Sequence, residues 1–79
     1  MEEWVVEYID SGSRSTLWKR SEDWDIGALP PMLLEDPPML LEEAMKKARS
    51  KEIKNTQVGL KYRIRNTRTD DIIPAAMFL

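Results

Sequence analysis

The chain has no cysteine and no histidine, and only three glycines and one phenylalanine among its 79 residues. Without cysteine, neither a disulfide nor a thiolate-bound zinc reinforces the fold, which excludes a small secreted disulfide scaffold. Without histidine, the commonest general base, the commonest metal ligand and the usual pH switch are all missing. Carboxylates, hydroxyls, lysines and arginines are what remain for chemistry. Long apolar runs are also lacking. None approaches the roughly 20 residues that span a bilayer, and the charged N-terminus lacks the apolar stretch of a signal peptide. A soluble, cytoplasmic protein without membrane contact is the expectation.

What is present is charge, sorted along the chain. Residues 1–43 carry eleven acids against three bases, whereas residues 44–69 carry nine bases against one acid, Glu52. The net charges of the two stretches are −8 and +8, inside a chain whose total is −2. Such asymmetry serves either an anion-binding surface or an attraction between the two halves. At this length a single domain, 1–79, is expected, burying roughly 60% of the surface of its unfolded chain.

Residues 4–9, β-branched and aromatic, favour a strand with Trp4, Val6 and Tyr8 on one face and Val5, Glu7 and Ile9 on the other. Asp10 to Ser13 is turn chemistry, and Thr16 to Arg20 is expected to return as a second strand. Residues 21–37 read as an irregular, proline-rich loop. It contains a tandem duplication: Pro30-Pro31-Met32-Leu33-Leu34-Glu35-Asp36, then Pro37-Pro38-Met39-Leu40-Leu41-Glu42-Glu43. Two copies are too few for a solenoid. They suit either a local duplication ahead of a helix or a doubled docking motif with Met-Leu-Leu as apolar anchors. A helix is expected from Pro38 to Lys51, with its prolines in the first helical positions. Leu41, Ala44, Met45 and Ala48 form its apolar face, Glu42 and Glu43 lie near its N-terminus, and its lysines lie towards its C-terminus. Helix electrostatics thus explains part of the charge sorting.

After Gly59 the chain alternates. Leu60, Tyr62 and Ile64 point one way, and Lys61, Arg63 and Arg65 the other. Residues 72–78 read as a final strand, kept at an edge or given a bulge by Pro74. The sum is an α+β fold: a small antiparallel sheet of about four strands, in the order ββ-loop-α-ββ, with one helix on one face. Leu41, Met45 and Ala48 are expected to meet Val6, Tyr8, Tyr62, Ile64 and Ile73. A core this small favours a homodimer, through the apolar loop or an edge strand.

Two surfaces stand out as functional candidates. The cationic row Lys61, Arg63 and Arg65, extended by Arg68, has roughly the spacing of successive phosphates. Tyr62 points away from that row, however, so bases find no stacking platform there. The row is equally read as a binding face for an acidic protein, or as a solvated face neutralised by acids such as Glu7. The second candidate is Trp24 with Met32, Leu33 and Leu34: if exposed, an apolar patch with an acidic rim, as in many interaction sites. If they fold back over the sheet, they form a lid instead. Asp23, Asp25, Asp70 and Asp71 lack calcium-loop spacing, and the serines lack an activating base. Neither enzyme activity, a metal nor a cofactor is expected.

The aromatic N-terminal hairpin, Glu42-Glu43-Ala44 in an acidic-to-basic helix, and Tyr62-Arg63-Ile64-Arg65-Asn66-Thr67-Arg68-Thr69-Asp70-Asp71-Ile72-Ile73 resemble small accessory proteins of bacteriophages. Those often end in a hairpin of the form Arg-x-Arg-Asn-x-x-Thr-Gly-acid-Ile-Ile; Asp70 stands where that glycine is expected. The resemblance covers about fifteen residues closely and brings no catalytic residue. It implies a protein of a class that includes inhibitors of host defence or host enzymes, acting by binding. The expected function is therefore non-catalytic protein binding, with nucleic-acid binding through the cationic row as the alternative.

Overall fold

Because β-branched and aromatic residues suit a pleated surface, the N-terminal run becomes a seven-residue strand, β1 (Trp4–Asp10). In the computed structural model, which describes residues 2–12, 14 and 16–78, β1 is central to a four-stranded antiparallel sheet. The second strand, β2 (Lys19–Arg20), pairs with Glu7 and Tyr8. It is far shorter than the Thr16–Arg20 strand expected. A second small sheet consists of β3 (Glu22–Asp25) and β4 (Met32–Glu35). The helix α1 (Leu41–Asn55) follows, then β5 (Leu60–Asn66) and β6 (Ile72–Pro74). The main sheet has the order β2-β1-β5-β6, with β1 and β5 paired from Trp4↔Asn66 to Asp10↔Leu60.

Alternation in β5 sorts its side chains as expected, burying Tyr62 and Ile64 beneath α1 and leaving Lys61 exposed. Buried Val6, Met39, Ala44, Ala48, Tyr62, Ile64 and Ala75 make the core, with Tyr8, Met45 and Ile73 packed around it. Leu41 is more exposed than expected, and Ala44 takes its place in the core. Small alanines let the helix approach the sheet closely.

The helix is displaced by about one turn from its expected span, for a physical reason. Met39 is drawn into a bridge with Trp4, exchanging N–H···O bonds of 2.7 and 3.0 Å. The backbone therefore stays extended through Leu40, and Pro37 and Pro38 remain outside the helix. At the other end nothing breaks the helix at Lys51. It runs to Asn55, adds a 3-10 turn over Thr56–Val58, and stops at Gly59 in the left-handed region. A Cβ at Gly59 would come within 3.1 Å of Ser11 Oγ, so both φ and space call for glycine.

The last strand is also shorter than expected. It lies at the sheet edge and ends at Pro74, after which Ala75–Phe78 form a 3-10 turn. The Tyr62 N–H, left without a strand partner there, donates to Glu52 Oε1 at 3.2 Å. In the turn between β5 and β6, the Asn66 side chain accepts from the Arg68 and Thr69 N–H groups at 2.8 and 3.0 Å. Asp70 adopts φ 64°, a conformation that Asp tolerates better than most residues.

The largest departure concerns residues 21–37, expected to be an irregular loop. They form an arm, the β3–β4 hairpin, with Trp24 opposite Leu33 and Asp23 opposite Leu34. Its tip starts with an Asx turn in which the Gly27 N–H donates to Asp25 Oδ1 at 3.0 Å. Met-Leu-Leu has no strong preference for strand. Pairing with Trp24 and its neighbours decides the conformation.

Candidate interaction surfaces

The arm begins where Ser21 joins the two sheets. Its N–H donates to the Val6 carbonyl of the main sheet, and its carbonyl accepts the Asp36 N–H, both at 2.8 Å. Isolated two-stranded hairpins are marginal in water, so the base needs reinforcement. Asp36 supplies it. With only 3% of its surface exposed, it takes Lys47 Nζ at 2.8 Å and Lys51 Nζ at 3.2 Å, one on each carboxylate oxygen. Asp23 shares the same two ammonium groups, at 2.6 and 2.9 Å. Lys51 also donates to the Glu22 carbonyl at 3.0 Å, and Arg20 donates to the Asp36 carbonyl. One turn of helix places both cations on the arm, because residues four apart share a face.

Electrostatics follows from this crowding. The neighbouring Asp36 carboxyl, with Lys47 and Lys51, holds Asp23 well below the usual carboxylate range. Burial works against the charge of Lys47, yet the hydrogen bonds it donates to Asp23 and Asp36 outweigh it and raise its pKa. The attraction between an acidic and a basic half of the chain thus has a definite seat: the arm base clamped to α1.

Beyond that clamp the arm is apolar and open. Trp24, Met32, Leu33 and Leu34 are all exposed, Trp24 by 64%. At the tip, Ile26 and Leu29 are exposed by 84% and 95%. Trp24 and Leu33, being opposite each other, share one face with Glu22 and Glu35; Met32 and Leu34 share the other with Asp23 and Asp25. Between the arm and the main sheet lies a cleft of about 220 Å³ lined by Tyr8, Ser21, Glu22, Leu33, Leu60 and Tyr62. The structure puts the four apolar candidates on one exposed hairpin, two on each face, with Leu33 also lining the cleft towards the main sheet.

The cationic row fares differently. Glu7, buried in β1, accepts Arg63 Nε at 2.9 Å and Arg65 Nε at 3.2 Å. Arg63 also stacks on Trp18, its guanidinium carbon 4.2 Å from the ring centroid. Arg65 reaches Asp70 at 3.2 Å, and its pKa is raised, chiefly by the hydrogen bond to Glu7. Arg68 pairs with Glu3 at 3.3 Å. Among the described residues, Lys61 alone of the four has no ion-pair partner. Three of the candidate cations therefore already hold acids of their own chain.

Sequence reasoning missed the residues that organise the arm: Asp36, Ser21 and the shared role of Lys47 and Lys51. One signal was available for Asp36, since it is the position at which the two copies of the duplication differ. Glu52 was also missed as a structural carboxylate; one of its oxygens accepts the Tyr62 N–H of β5, and the other is buried without a hydrogen-bond partner among the described residues. Among the described residues no cluster of three or more acidic side chains is arranged to hold a metal ion, and no helix is long and apolar enough to cross a membrane. The fold and surfaces define a small α+β protein with a protruding apolar arm. No protein-family model, curated protein or solved structure matches the chain.

Proposed function

We propose that this chain is a non-catalytic binding module that modulates another protein, docking through the β3–β4 arm. The observation that carries this reading is the exposure of Trp24, Ile26, Leu29, Met32, Leu33 and Leu34 on a hairpin held by a partly buried charge cluster. Exposed apolar anchors on a pre-set backbone lower the ordering cost of association. Residues 21–36 carry five acids and no base, and Asp23 and Asp36 are engaged by Lys47 and Lys51. Glu22 and Asp25, with Glu35 held only at 4.0 Å by Arg20 and still largely exposed, suit a partner with an apolar groove and a basic rim. The likeness of the C-terminal hairpin to phage accessory proteins suits an inhibitor or modulator of a host protein. A nucleic-acid role draws less support, because Arg63, Arg65 and Arg68 each hold an internal acid.

The test is capture from nuclease-treated lysate on immobilised wild type, Trp24→Ala and Lys61→Glu/Arg68→Glu. A protein retained by the wild type and the charge variant, lost with Trp24→Ala, and only weakly sensitive to salt fits the reading. Loss with the charge variant, together with a steep fall as salt rises, transfers the site to the cationic row.

A further inference from the structure

Resting on the docking role just proposed, we infer that the arm binds by strand addition: an extended peptide segment pairs along the outer edge of β4. The phase of the arm's ladder makes the case. The Asp36 N–H bonds to the Ser21 carbonyl at 2.8 Å, and hydrogen-bonded and non-bonded pairs alternate along an antiparallel ladder. Asp23/Leu34 and Asp25/Met32 therefore exchange bonds inside the arm. Glu22, Trp24, Leu33 and Glu35 turn their backbone groups outward.

The two outer edges are not equivalent. On the β3 side, the Glu22 carbonyl is occupied by Lys51 Nζ at 3.0 Å. On the β4 side, nothing among the described residues pairs with the N–H and C=O groups of Leu33 and Glu35. The main sheet has no comparable edge. Along β1, Trp4 is bridged by Met39, the Val6 carbonyl is taken by Ser21, and β2 covers Glu7 and Tyr8. At the opposite edge, β6 is three residues long and ends in proline. An open edge flanked by apolar side chains is a template for another strand, which gains main-chain hydrogen bonds and side-chain pockets together.

Charge selects the occupant. An added strand of about five residues would lie beside Met32, Leu33, Leu34 and Glu35, calling for apolar side chains and a Lys or Arg next to Glu35. Pairing with a second copy would instead bring together two arms that each carry five acids and no base. The occupant is accordingly an extended apolar-basic peptide segment of another protein.

The probe is a random heptapeptide display library selected on the full chain. Selected peptides are expected to share an apolar run with at least one Lys or Arg. On binding, hydrogen exchange at the Leu33 and Glu35 amides should slow at least tenfold. Leu33→Pro removes an outward N–H but no ladder bond of the arm, and proline is tolerated on an edge. It should bind at least tenfold more weakly than Leu33→Ala, which keeps that N–H. If Leu33→Pro disturbs the arm's own amides, the wild-type exchange result decides alone. Peptides lost with Trp24→Ala but leaving Leu33 and Glu35 exchange unchanged would overturn strand addition and spare the docking role. A library yielding no binder, or only binders indifferent to Trp24→Ala, would overturn both. Protection of the same amides by dimerisation without peptide, seen by sedimentation, would overturn the choice of occupant.

Discussion

Residues 30–36 and 37–43 are nearly the same heptapeptide, yet they build opposite structures. In the first copy Met-Leu-Leu-Glu is an exposed strand; in the second, Met39 is buried and the following Leu-Leu-Glu leads into a helix. Local preference is common to both, so it cannot be the cause. The first copy meets β3 and takes its ladder. The second meets Trp4 at Met39, stays extended for one more residue, and then turns into α1, where Glu42 and Glu43 suit the helix N-terminus. The single difference, Asp36 against Glu43, falls where the demands differ most. Asp36 is the buried partner of two lysines, while Glu43 is exposed in the first helical turn.

The comparison can be broken hardest at Asp36. Asp36→Ala leaves Lys47 and Lys51 facing a cavity with one shared acid gone, and the expected loss is about 4 kcal/mol in urea unfolding, the scale for breaking a buried ion pair. Next come the two methionines. Met39→Ala should cost about 3 kcal/mol and Met32→Ala less than about 0.5 kcal/mol, because only the first opens a core cavity. Equal costs would mean that the copies are not packed as described.

Exchanging the one differing residue sharpens the contrast. Asp36→Glu adds a methylene to a filled site and should cost about 1–2 kcal/mol, while Glu43→Asp should stay within about 0.5 kcal/mol. Titration gives the finest test. The folded pKa of Asp23 is lowered, so its contribution is present above its unfolded value, about 4, and fades as pH falls through the folded one. Lys47 is raised, so its contribution is present below its unfolded value, about 10.4, and fades as pH climbs through the folded one. Half of the Asp23 side chain is exposed, so Asp23→Asn should cost only about 1 kcal/mol after solvent screening. That variant should also lose stability less steeply below pH 4 than the wild type.

These features differ in how far the sequence reveals them. The α+β class, the alternation of β5 and the edge position of β6 follow from period and from Pro74, which are local properties. The existence of the helix was equally legible, but its first residue was not, because Met39 answers to Trp4, 35 positions away. The arm was invisible for the same reason: its ladder joins segments with no strand-like pattern of their own. Trp24, Met32, Leu33 and Leu34 were recognisable as a group because they are large and apolar beside acids. Glu7 was legible as an acid that could neutralise the cationic row, but only the β1–β5 register shows that this one carboxylate takes both Arg63 and Arg65.

Glu22, Asp25 and Glu35 have a consequence for the protein in bulk solution. Apolar side chains exposed on the arm favour contact between copies, and repulsion among these carboxylates opposes it. Their mutual repulsion reaches about 10 Å at 0.1 M salt and only about 3 Å at 1 M. Concentrated stocks should therefore stay clear in dilute buffer and turn cloudy as salt is added, a sensitivity that Trp24→Ala should remove.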